Sequence, residues 1–203
     1  MSDGQADSTE VVHTHELFPT EKARGEHEKE GGTVMASVIV NELRKKTDAA
    51  WANVSRQLQE MEPYLERSDA PGEWTTRQVL SHLLFEPGWD PVALLKTFGD
   101  RDLPLVDIKP GEVHLTAERK GMTIRQFLDA LGDQRRRVFA HVEGLPEAAL
   151  QERKARIPLF KQFMATDEIP MAVYVGALFD VHWNDHAGQL AKIRKAVGLP
   201  DAR

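Results

Sequence analysis

The sequence contains no cysteine, which excludes disulfides, thiolate metal ligands and a cysteine nucleophile; any thiol chemistry needs a thiol from solution. It also lacks long apolar runs. No stretch approaches the roughly 18 to 20 residues that span a bilayer, and nothing near Met1 resembles the apolar region of a secretory signal, so no membrane partner is expected and the expected compartment is the cytoplasm. A basic surplus is missing too. The formal net charge is -6 with both signs interspersed, which argues against the broad phosphate-binding surface of a nucleic-acid binder. Internal repeats and low-complexity tracts are absent.

What is present is helical. Of 203 residues, the first 33 show no sustained apolar period and are predicted to form a disordered tail. Residues 34–200 are predicted to form one helical domain, long enough to bury roughly two thirds of its unfolded surface. Residues 34–67 place Val40, Leu43, Thr47, Ala50, Val54, Leu58 and Met61 at helical spacing and read as one long first helix. A threonine at 75–76 caps a short helix over 76–86, apolar nearly all round and therefore predicted to be buried. Asp90 caps a further piece with Pro91 at its first position, ending near Gly99.

Residues 100–121, with Pro104, Pro110 and Gly111, read as an extended loop, longer than is usual inside a compact domain. Thr123 then caps a helix over 124–145 whose buried stripe is Ile124, Phe127, Leu128, Leu131, Val138 and Val142. Residues 145–170 read as an irregular cover over one end of a bundle, with a short turn at 146–150. The last helix, 171–198, is the clearest, stopping at Gly198 before Pro200. Four principal helices and no credible strand predict an all-α four-helix bundle.

Eight histidines are the residues with chemistry to offer. With His182 at the origin and about 100° per residue, His186 falls near 40°, among Val175, Leu178, Phe179, Ile193 and Val197. A buried imidazole needs a partner for each ring nitrogen, and two of them one turn apart on an apolar face are relieved by a metal ion between them, or by backbone and water bonds. The spacing alone is weak, because eight histidines give about 0.3 chance pairs at any fixed offset. For a third ligand, His82 is the one other histidine in a confidently helical, apolar segment; an ordinary core histidine is the competing reading.

The phrase W-T-T-R-Q-V-L-S-H-L from Trp74 to Leu83, followed by H-W-N-D-H-A-G-Q-L from His182 to Leu190 and I-R-K-A-V-G-L-P, resembles the DinB/YfiT-like superfamily. The resemblance implies a four-helix bundle, often dimeric, holding a divalent metal on His82, His182 and His186 beneath an open cleft. Relatives include S-transferases using low-molecular-weight thiols, a thiol-dependent isomerase and hydrolases. The tail at 1–33, the 100–121 loop and the 151–167 segment depart from a minimal member and are where substrate choice would be written.

Three neutral imidazoles leave coordination positions open for water or substrate, the pattern of a catalytic site. A histidine-only set suits zinc or nickel first, and iron or manganese as well. The leading expectation is a transferase joining a low-molecular-weight thiol cosubstrate to an electrophilic small molecule, as in detoxification or stress response. A metal-dependent hydrolase or isomerase on the same site, and a non-catalytic helical protein that binds metal or ligand, are the alternatives. Gln189 near -20° and Asp185 near -60° on the wheel, each about a turn from a ligand, are candidates to bond an outer ring nitrogen. Glu86, one turn after His82, is a candidate base or hydrogen-bond acceptor. Arg135, Arg136 and Arg137 read as a solvated face, with one arginine able to reach an anion at the rim.

Overall fold

Caps set most helix boundaries. The computed structural model describes residues 37–202, all within one compact unit; the tail predicted at 1–33 lies outside the described residues. Ser37 caps α1 (Val38–Gln57). Thr75 caps α2 (Thr76–Leu83) in a reciprocal box: its hydroxyl accepts from the Gln78 N–H at 3.2 Å, while the Gln78 amide oxygen accepts from the Thr75 N–H at 2.8 Å. Asp90 caps α3 (Pro91–Leu95), with Pro91 opening the helix. Thr123 and Gln126 repeat the box at the start of α5 (Ile124–Val142). One of the unpaired amides at helix ends is met from afar: Glu62 accepts from the Ile124 N–H at 2.9 Å.

The predicted first helix overshoots by ten residues. It ends at Gln57 with Leu58 as its C-terminal cap, Glu60 takes a left-handed φ of 63°, and a 3-10 turn (Glu62–Tyr64) follows. Leu58, Met61 and Leu65 are nevertheless buried, so the apolar spacing runs on through the break and imitates a continuing helix. Likewise α2 stops at Leu83 and not at Glu86, because Phe85 is left-handed (φ 59°). A left-handed phenylalanine costs on the order of 1 to 2 kcal/mol. Packing of its ring on Trp89, with centroids 4.2 Å apart, and an arginine bond to its carbonyl offset this.

The two segments predicted to be loops contain structure. Within 100–121, Thr116 caps a single helical turn, α4 (Ala117–Lys120). Within 145–170 lie α6 (Glu147–Glu152) and, against the prediction of no strand, a two-stranded antiparallel ribbon of β1 (Lys154–Arg156) and β2 (Glu168–Pro170), with Ala155 opposite Ile169. Gly99 and Leu105 bridge to Lys154 and Arg156, tying the start of the long loop to the same ribbon. Strands of three residues are too short to show a period of two, yet Ala155, Ile157 and Ile169 are fully buried.

The C-terminal rod is one helix in three parts: α7 (Met171–Gly176), a π-helical segment (Ala177–Val181) and α8 (His182–Ala196). The His182 N–H reaches the Ala177 carbonyl, five residues back. The widened turn accommodates one extra residue, so a wheel drawn at a constant angle slips by about 100° upstream of His182. Tyr174 and not Val175 thus shares the line of His182; the relation of His182 to His186 and Ile193 stands.

Four elements make the bundle: α1, α2, α5 and the rod. The first packs along α8 and the π segment, and α2 lies against α8 and α5. Trp183 fills the centre, between Trp51 (centroids 5.4 Å) and Phe179 (4.9 Å). Along α5 the predicted stripe is buried, except that Leu128 is half-buried and Phe139 is added. No helix among the described residues is long and apolar enough to cross a membrane.

Candidate metal centre

Helix α2 carries His82 to the seam with the rod, where it meets His182 and His186. One ring nitrogen from each of the three lies within 4.8 Å of the others. His186 is buried and its two neighbours are half-buried. Nε2 of His82 and Nε2 of His182 are 2.9 Å apart.

Two of the three rings are held from behind by an acceptor. The Nδ1–H of His82 donates to the Glu112 carbonyl at 2.6 Å, and the Nδ1–H of His186 donates to the side-chain oxygen of Gln189 at 2.9 Å. These two bonds fix the tautomers of His82 and His186 and leave their Nε2 atoms as lone pairs, the form in which imidazole binds a cation.

Burial sets the charge. Desolvation lowers the pKa of His182 to about 3, reinforced by His186 and His82. It also lowers His82, against the Glu112 bond and with help from His186 and His114, and lowers His186 against the Gln189 bond and the charge of Asp185. The rings are therefore neutral at pH 7. Neutral rings whose nitrogens converge, with Nε2 of His82 and of His182 2.9 Å apart and His186 beside them, form a donor set that a divalent cation fits.

Aromatic side chains wall the centre. Trp74 stacks parallel to His186 (centroids 6.0 Å, planes at 9°) and leans on His82 at 4.9 Å. Phe85 lies 5.6 Å from the His182 ring. Trp74 thus touches the histidines as well as packing on the core.

The other sequence candidates separate. Gln189 bonds His186; Asp185 is exposed and acts on His186 through its charge. Glu86 turns to His114, whose Nε2 lies 4.0 Å from its carboxylate. Each arginine of the 135–137 run has a carboxylate partner: Asp48 at 3.0 Å, Asp133 at 3.1 Å and Asp90 at 2.8 Å.

Sequence reasoning missed Arg119. Buried at 9 % exposure, it donates to the carbonyls of Ser81 (2.9 Å), Phe85 (2.6 Å) and His114 (3.1 Å). It so satisfies the open carbonyl end of α2 and pins the loop that supplies Glu112 and His114. Arg77 supports it from below, donating to the Arg119 carbonyl at 3.0 Å and to the Met122 carbonyl at 2.6 Å. The one signal in the sequence was Thr116, a cap placed three residues before Arg119.

No family model and no curated protein matches the sequence. Among solved structures, the chain is similar to YfiT from Bacillus subtilis, a probable metal-dependent hydrolase with an unusual four-helix bundle topology. The TM-score is 0.58 at 17 % identity, over 87 % of this chain and 96 % of that one. The fold is that of the YfiT four-helix bundle.

Proposed function

We propose that the protein is a metal-dependent hydrolase of small molecules, its divalent ion held by His82, His182 and His186, with zinc or nickel the first choices. The observation that carries the reading is the convergence of the three rings, with Nε2 of His82 and Nε2 of His182 2.9 Å apart and the third ring beside them. Hydrolysis is preferred because the structural neighbour YfiT bears that description. When bound, the cation supplies Lewis acidity, which brings a water toward ionisation near neutral pH and polarises a carbonyl.

The chain's own residues do the rest. Glu112 and Gln189 orient the His82 and His186 rings, so the donor set is organised before the ion arrives. Trp74 and Phe85 exclude water from two sides and offer an apolar surface to a substrate. Glu86, more than half exposed beside His114, is placed to accept a proton at its Oε2.

The test is elemental analysis of the purified protein beside the His182→Ala, His186→Ala variant, followed by a panel of activated esters and amides with and without thiols. Near-stoichiometric metal lost in the variant, and turnover without thiol, are the expected results. Turnover that needs bacillithiol, mycothiol or glutathione would replace hydrolysis by thiol transfer on the same site. Metal without turnover would leave a binding protein.

A further inference from the structure

A groove of about 510 Å³ lies between the turn that joins α2 to α3, the single turn of α4 and the middle of α5. Its size is in the range of small-molecule sites, and it takes in none of the three histidines. Leu84, Trp89, Met122 and Ala130 give it apolar walls. Gln134 lines it from α5 at 8 % exposure, and the side-chain oxygen of Gln134 is buried with no hydrogen-bond partner among the described residues. An acceptor buried without a donor destabilises the fold, and an apolar side chain of the same length would not. The last torsion of a glutamine is soft, so rotation about it turns the oxygen into the groove, where the N–H of a ligand completes its bond.

Charge selects the donor. Three carboxylates, Glu86, Glu118 and Asp133, line the groove against two guanidiniums. Both guanidiniums are engaged: Arg119 by the carbonyls of Ser81, Phe85 and His114, and Arg137 by Asp90 at 2.8 Å. Asp133 pairs with Arg136, whereas Glu86 faces the His114 ring at 4.0 Å and Glu118 acts on Arg119 through its charge. The surplus is negative, which repels anions and attracts cations. We propose that this groove binds a small organic amine, its ammonium head bonded to the Gln134 oxygen and drawn by Glu86 and Glu118, its apolar body against Trp89 and Met122.

The test uses the full chain stripped of metal by a chelator, so it does not depend on the three histidines. Benzylamine is titrated in by calorimetry, and proton–nitrogen spectra follow the Gln134 side-chain amide and the Trp89 indole. The expected result is saturable binding near a dissociation constant of about 1 mM, the scale of a ligand with roughly eight heavy atoms, with both signals shifting. Phenylacetate, of similar size and opposite charge, is expected to bind at least about 10-fold more weakly. Gln134→Met keeps the length and removes the oxygen; it is expected to bind benzylamine at least about 10-fold more weakly, with an unfolding midpoint no lower than that of the wild type. Glu118→Gln, at an exposed position on α4, keeps the test open if Gln134→Met does not fold, and is expected to weaken binding about two- to five-fold. No saturable binding by the wild type, equal binding of phenylacetate, or wild-type affinity in either folded variant would overturn the proposal.

Discussion

Two long rods of the bundle, α5 and the C-terminal helix, are built by opposite rules. Helix α5 opens with a reciprocal cap, keeps one phase from Ile124 to Val142, buries one stripe and pairs its arginines with carboxylates at its flank. Along that stripe each local choice agrees with its place in the fold. The C-terminal rod has no side-chain cap at Pro170, changes phase at Ala177 and buries imidazoles where apolar side chains would pack. The regular helix packs a stripe; the irregular one carries two of the three candidate metal ligands, His182 and His186, just beyond its change of phase.

That contrast can be broken, and the sharpest attempt is the His182→Ala, His186→Ala variant, expected to lose metal outright while circular dichroism shows the bundle intact. On the other rod, Leu131→Ala empties a fully buried site and is expected to cost about 2 to 5 kcal/mol in urea unfolding. The metal affinity of its folded fraction should stay unchanged. Gln189→Ala is expected to reverse that pattern, weakening metal binding about 10- to 100-fold in calorimetry with little change in unfolding midpoint. A stability loss without an affinity loss would make Gln189 a packing residue.

Acid sharpens the comparison next. Folding holds the three histidines below their ordinary pKa of 6.5, so the unfolded chain takes up their protons first. Stability without metal is therefore expected to fall below pH 6.5, by about 1.4 kcal/mol per pH unit for each histidine that stays neutral, continuing for His182 to about pH 3. Urea melts at pH 7, 6 and 5 check this, and His182→Ala should flatten the dependence. The smallest effect is on α5: Thr123→Ala removes a cap and is expected to cost about 1 kcal/mol with no change in metal affinity.

Sequence reading fared best where one segment specifies its own structure. The caps at Thr75, Asp90 and Thr123 and the stripe of α5 are local, and the structure has them. Where several segments cooperate, the pattern was silent or misleading. The spacing of Leu58, Met61 and Leu65 is helical although the backbone between them turns, because burial is set by the core they face. The β ribbon is held by pairing across the chain, which three-residue strands do not announce. At the site, the histidines and Gln189 could be named from one helix face and a resemblance. The acceptor Glu112 acts through its carbonyl, which every residue has, so no residue type reveals it. Arg119 looked like one charge among many until its carbonyl partners were assembled from α2 and the loop.

Arg119 has a consequence for motion. A single guanidinium holds carbonyls of Ser81, Phe85 and His114 at once, so the loop cannot lift while the end of α2 stays bonded. Helix end and loop form one cooperative unit. The rim they make is a wall of the molecule and not a lid over it, and parting them is a partial unfolding event whose free energy approaches that of the helix itself.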